Sequence, residues 1–247
     1  MKKILLLLAV SFMAATAYAQ QEGVVHFTRT TYWTKLNSQL TFLSKQEKER
    51  QAYMWGNRDD WKEYTVLYFN DHASKYTHSD EKSAEDMGYD WRKEQFVVTR
   101  DFEKNTLTDL VEIASKKYVV QDTLSPQKWK VLNDLKEVAG HICMKAFKED
   151  TVKKQKIVAW FAQDIPVSVG PERSYGLPGM ILELDLNDGT VVITASRIET
   201  KKLTNELDLP KKRKGTVLTE AGYQQTLSKF IKEKIKEERN PYWMVRY

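Results

Sequence analysis

From Val24 to Ile198 apolar and polar residues alternate in short runs. Side chains of an extended backbone point alternately to opposite faces, so such runs fold as strands with one face packed and one face wet. The runs are Val24 to Trp33 (Val25, Phe27 and Arg29 on one face), Tyr64 to Phe69, Gln95 to Phe102, Leu107 to Ile113, Tyr118 to Gln121, Val152 to Ala162, Met180 to Leu186 and Thr190 to Ile198. Turn residues punctuate them: Asn105, the polar Glu149-Asp150, and Asn187-Asp188-Gly189, which is a strong hairpin signal. Trp129 and Val131 alternate with lysines and read as a strand within Ser125 to Glu137, although Ser125-Pro126 could equally open a helix. Strands spaced by about 8–12 residues leave no room for crossover helices. The fold class is therefore mainly β, an antiparallel meander forming a curved sheet or an open barrel.

Two segments break the pattern at helical spacing. Ser44 and Glu47 form a capping box ahead of a helix from Lys45 to Trp55, with Gly56 as its stop. After a Thr219 cap, Tyr223, Leu227, Phe230, Ile231 and Ile235 recur on one face of a C-terminal helix that ends at Asn240-Pro241. That stripe is expected to dock on the sheet. The aromatic tail, Tyr242-Trp243-Met244-Val245-Arg246-Tyr247, could equally pack back or stand exposed.

The start of the chain reads as an export signal. Lys2 and Lys3 precede an apolar run from Ile4 to Met13 that is short for a membrane span, and Ala17-Tyr18-Ala19 supplies small residues for cleavage before Gln20. An uncleaved anchor is the competing reading. Residues 1–19 are thus expected to be removed, leaving 20–247 as one domain in the periplasm or at the outer membrane. The only cysteine, Cys143, lies far from that site, so no lipid is expected on a new N-terminal thiol. Nor does any later stretch approach the ~20 apolar residues of a spanning helix.

Size and charge narrow the classes. Taking nineteen residues from 247 leaves 228, enough to bury about 70% of the unfolded surface without a staple. With Lys2 and Lys3 gone, 39 basic residues become 37 against 34 acidic ones, a net +3. That is a solubility-level charge and excludes a nucleic-acid footprint. The dense cluster Lys211-Lys212-Arg213-Lys214 reads as a solvated loop or a contact for an acidic surface.

Catalytic signatures are missing: no G-x-S-x-G, no H-E-x-x-H, no phosphate loop and no dinucleotide fingerprint, so no cofactor is implied. His72 and His78 share a polar stretch with Asp71 and Asp80, but their spacing fits no metal-ligand signature and reads as a surface loop. His141 and Cys143, two apart on a strand, would share a face. The histidine could then lower the thiol pKa and make Cys143 reactive. The plainer reading is a small buried hydrophobe.

The densest stretch runs from His141 to Leu184. It holds Ala159-Trp160, Ile165-Pro166, Gly170-Pro171 and then Gly176-Leu177-Pro178-Gly179-Met180-Ile181. Leu177-Pro178-Gly179-Met180 reads as a type II turn, with proline presetting the second position and glycine supplying the positive φ of the third. Asp164 to Gly179 would then be an ordered loop between two strands. This motif resembles that of the GLPGLI family, exported proteins of Gram-negative bacteria, with Met180 replacing a leucine. The resemblance covers roughly Gly140 to Leu184. It implies an exported, mostly β protein, found beside outer-membrane transport systems, and no catalytic residues.

Abundant aromatics on a curved sheet point first to a binding or carrier protein for an apolar or polymeric ligand: a small molecule, a lipid or a peptide. Trp160, Tyr175, Leu177 and Met180 are the expected contacts on the rim. An accessory subunit docking on an outer-membrane transport or secretion component is the alternative, and a thiol-dependent enzyme at Cys143 the third.

Overall fold

The computed structural model describes residues 21–56, 60–79 and 96–247. The export segment and Gln20 lie outside them, as do Asp80 and Gln95, the expected first residue of a strand. Twelve strands form one sheet among the described residues: β1 (Gly23–Tyr32), β2 (Asp60–Phe69), β3 (Ala73–His78), β4 (Val97–Asp101), β5 (Thr106–Ile113), β6 (Lys116–Thr123), β7 (Lys130–Val138), β8 (His141–Asp150), β9 (Gln155–Ala162), β10 (Met180–Leu186), β11 (Val191–Thr200) and β12 (Thr216–Leu218). Their order is β12-β6-β5-β4-β3-β2-β1-β11-β10-β9-β8-β7. Two hairpin meanders, β1 to β6 and β7 to β11, are thus joined by antiparallel pairing of β1 with β11. The sheet stays open, with β7 and β12 as its edges, and β12 runs parallel to β6, which makes the sheet mixed rather than purely antiparallel.

Turn chemistry sets these hairpins. Asn105, Asn187 and Asp188 all hold positive φ (55°, 52° and 52°), a conformation short polar side chains tolerate. Lys154 also sits at φ 55°, so the expected strand Val152 to Ala162 starts only at Gln155, after a turn. Likewise Ser125 to Glu137 becomes strand only from Lys130, since Pro126 has no N–H to place in a ladder. The stretch around His72 and His78, expected as a surface loop, contains β3. Ser74 and Tyr76 point inward from it and are buried. His72 is exposed in the turn before it, while His78 ends the strand with its ring 4.4 Å from that of Phe96.

Among the described residues three α-helices accompany the sheet: α1 (Trp33–Ser38), α2 (Lys45–Trp55) and α3 (Glu220–Lys236). Helix α1 begins where the alternation suggested a strand end, because Trp33 and Leu36 gain a common buried side by turning. The capping box on α2 is formed: Ser44 Oγ accepts from the Glu47 N–H at 3.2 Å, and Glu47 accepts from the Ser44 N–H at 2.8 Å. Thr219 caps α3 by accepting from the Gly222 N–H at 3.2 Å. Helix α3 buries Tyr223, Leu227 and Ile231, each contributing about 1.5–3 kcal/mol of apolar transfer. The tail packs back. Tyr242, Val245 and Tyr247 are buried, and Trp243 stacks on Trp33 with ring centroids 4.6 Å apart.

The core lies on the concave face, where the register brings Val25 and Phe27 of β1 beside Leu67 and Thr65 of β2 and Ile198 and Ala195 of β11. The segment between β9 and β10, residues 163–179, supplies Ile165, Val167, Val169 and Leu177 to the same core.

Candidate functional site

The two flanks of the curled sheet face each other across a cavity of about 660 Å³, within the range of small-molecule sites. Phe96, Val98, Leu107 and Val111 wall it from the β4–β5 side, Ile157, Leu184 and Leu186 from β9 and β10, and Tyr223 and Leu227 from α3. Strand pairing explains the polar part. Lys148 is opposite Ile157, and Asp150 is opposite Gln155, so the inner face of the β8–β9 hairpin is apolar at one end and polar at the other.

Charged groups on this face fall into two kinds. The first kind is paired. Asp109 accepts from Arg100 Nη1 at 2.5 Å and from Arg173 Nε at 2.7 Å. Arg173 also forks onto Glu220, the first residue of α3, tying β5, the 163–179 segment and the helix together. Burial by itself would push the Asp109 carboxyl up, but the two guanidiniums outweigh it and hold it below the usual range. A second network joins Arg29 and Glu63 (2.5 Å) to Glu172 and Arg246. Arg246 Nε lies 2.9 Å from both Glu172 oxygens, and its Nη1 lies 3.1 Å from Glu63. Glu172 behaves like Asp109: burial raises it, and Arg246 and Arg29 bring it below its ordinary value.

The second kind is not paired. Lys148 Nζ donates to Gln127 Oε1 at 2.5 Å and lies 4.4 Å from the Trp129 ring, with no carboxylate in contact among the described residues. Burial pushes this amine down to about 7; Asp150 opposes the shift, while Arg173, Arg100 and Lys153 add to it. Lys153, in the β8–β9 turn, is also lowered by burial and has no hydrogen-bond acceptor among the described residues. Two further donors facing the cavity are buried without acceptors, Gln155 Nε2 and Arg246 Nη2.

Of the four residues expected as ligand contacts, Tyr175 borders this cavity. Its hydroxyl donates to the Ser125 carbonyl at 2.7 Å, and Arg100 lies 5.3 Å from its ring centroid. Trp160 stands on the opposite, convex face between Lys136 and Lys145, each 5.5 Å from its ring. Leu177 and Met180 are 2% and 0% exposed and belong to the packed core rather than to the cavity wall.

The Gly176-to-Ile181 motif has a structural task here. The Gly179 N–H donates to the Leu177 carbonyl at 2.8 Å, while the Met180 N–H goes to Ile165 at 3.0 Å. The expected type II turn, which would send the Met180 N–H back to Leu177, is therefore replaced by a tighter three-residue turn about Pro178. Glycine is required at 179: its φ is +147°, and a Cβ there would stand 2.2 Å from the Ala162 carbonyl oxygen. The Ile181 N–H donates to Val169 at 2.8 Å, which fixes the returning segment against β10. The motif thereby holds in place the segment that delivers Glu172, Arg173 and Tyr175 to the concave face.

Cys143 is fully buried, and its Sγ lies 3.6 Å from the His141 carbonyl oxygen. The His141 ring is turned to Asp164, Nδ1 to Oδ2 at 2.6 Å, rather than to the thiol. Burial, then the charges of Asp164 and Glu183, pushes the thiol up to about 11, away from the thiolate that reactivity needs.

Lys148, Lys153, Gln155, Glu172, Arg173 and Arg246 were not among the expected site residues. One signal of this kind was readable in Arg29, a charge on the face shared by Val25 and Phe27, since a charge on an apolar face demands a buried partner.

Two crystal structures of PNGF-II share this architecture. The one in space group P21 superposes with a TM-score of 0.55 at 13% identity over 84% of this chain and 33% of that one. The one in space group C2 gives 0.54 at 12% identity over 83% and 32%. The likeness shows a common fold, and this chain spans about a third of the length of PNGF-II. No curated protein matches the chain. A family model described as a protein of unknown function, Porph_ging, matches residues 28–183, from β1 through the Gly176-to-Ile181 motif into β10. At that coverage, the chain belongs to the Porph_ging family of proteins of unknown function.

Proposed function

We propose that this chain is a binding or carrier protein of the bacterial cell envelope, exported by residues 1–19, whose apolar ligand occupies the cavity between the two flanks of the sheet. The observation that carries the reading is the 660 Å³ cavity itself, walled by aliphatic and aromatic side chains and bridged by α3. A half-open cleft of this size, mostly apolar with a few charged groups at one end, has the character of a small-molecule site. The GLPGLI-type motif and the export-like start agree with an envelope location.

Native mass spectrometry of the protein purified from its own cell envelope tests this reading. The expected result is a reproducible mass excess over the denatured chain, of the size of a small apolar molecule. A bare chain at native mass would overturn it. A second folded chain in the spectrum would favour the accessory-subunit reading instead. That reading draws support from β7, an unpaired sheet edge where Val131 and Leu135 are 48% and 64% exposed, beside Ile142 at 61%. The C-terminal tail lends it little, because most of the tail's apolar surface is already buried.

A further inference from the structure

The polar end of the cavity is unbalanced in a specific way. The buried carboxylates near it are already engaged, while Glu149 stands exposed on the rim. Glu172 is held by Arg29 and Arg246, and Glu220 and Asp109 by Arg173. Asp150 Oδ1 accepts from the backbone N–H groups of Val152 and Lys153 at 2.9 and 3.0 Å. The groups left over are all donors: Lys148 with a single neutral acceptor, Lys153 with none, and the buried Gln155 Nε2 and Arg246 Nη2. One hairpin and the tail bring them together, since Gln155 lies beside Tyr247, the neighbour of Arg246. Exposed Lys128 and Lys130 extend the positive potential to the rim.

A buried donor without an acceptor costs roughly 1–3 kcal/mol, and a buried charge costs more. A molecule bringing oxygen acceptors and a negative charge would satisfy the two buried donors and pair the two lysines. Resting on the reading of the cavity as a ligand site, we propose that its β8–β9 end is a seat for an anionic head group. The group is a carboxylate or phosphate on an apolar chain, received by Lys148, Lys153, Gln155 and Arg246. The burial that pushes Lys148 down is the same burial that would make a paired anion bind strongly there.

Titration calorimetry with three probes separates the possibilities: dodecanoate, dodecanol and inorganic phosphate, added to protein freed of endogenous ligand on a lipophilic resin. Dodecanoate should bind about tenfold or more tightly than dodecanol, a gap set by the head group alone. The double variant Lys148→Met, Lys153→Met should bring the acid and the alcohol to similar affinity, while Lys148→Arg keeps the acid ahead. Equal affinity of acid and alcohol for the unaltered protein would overturn the anionic seat and leave the cavity reading standing. Binding of neither chain would overturn both. Phosphate binding as tightly as dodecanoate would keep the seat but remove the apolar ligand. Should the double variant fail to fold, the acid-to-alcohol ratio of the unaltered protein decides.

Discussion

Arg173 and Lys148 face the same cavity and are built in opposite ways. Arg173 bridges two carboxylates on two elements, Asp109 and Glu220, and its planar fork suits both contacts. Lys148 meets a glutamine oxygen and an indole face but no carboxylate in contact, and its amine is pushed down accordingly. The difference separates charge that holds the fold from charge that waits for something. The paired arginines tie carboxylates of distant segments together, whereas Lys148 reaches only the neutral Gln127 and Trp129.

Four changes would break or sharpen that contrast. The largest effect is expected for Asp109→Asn, which strands the buried Arg100 guanidinium and leaves Arg173 with Glu220 alone. Urea unfolding should show a loss of about 3–5 kcal/mol. A loss under about 1 kcal/mol would mean that the network is not structural. Acid should act on the same groups. Asp109 and Glu172 are held below their ordinary values of 3.8 and 4.5, so the unfolded chain takes up protons before the folded one as pH falls. Their contribution is present above those values and lost as pH falls below them through the lower folded values, which an unfolding series in pH would register, with Asp109→Asn flattening the slope.

Lys148→Met should do the reverse and raise the melting temperature, by roughly 2–4 °C per kcal/mol gained. The sign follows from the amine being lowered to about 7 from 10.5. Between those values the unfolded chain carries a proton that the folded one lacks, so this group's contribution improves as pH rises. The gain from methionine should therefore be greatest below about pH 7 and fade toward 10.5. A loss of stability at low pH would show that Lys148 is a structural charge after all. Lys153→Met, on the half-buried turn, should shift stability least, within about 0.5 kcal/mol, measured the same way.

Much of the fold was legible because a sheet with one packed face writes its period into the sequence. Met180 to Leu186 was read to the residue, and both the α2 capping box and the Thr219 cap of α3 are local signals. Strand β3 escaped because its inward Ser74 and Tyr76 sit among polar residues and look like a loop. Neither the pairing of β1 with β11 nor the parallel β12 follows from local pattern, since both join segments far apart in the chain. The charge networks are less legible still: Arg29 meets Glu63 34 residues on, Arg173 meets Asp109 across 64, and Arg246 meets Glu63 across 183. The Gly176-to-Ile181 motif was the most visible feature, yet its leucine, methionine and isoleucine are buried. Its visibility came from backbone demands at Gly179 rather than from contact with the cavity.

The most direct test of waiting against structural charge is proton uptake. Lys148 is faced by Asp150, Arg173, Arg100 and Lys153, and an added anion should raise its pKa against that background. Titrating dodecanoate near about pH 8 in two buffers of different ionisation heat gives the number of protons taken up on binding. A net uptake by the unaltered protein, absent with dodecanol and absent in Lys148→Met, is the predicted result. Binding of dodecanoate with no uptake, or with the same uptake in Lys148→Met, would contradict the assignment of Lys148 as the seat of the charge.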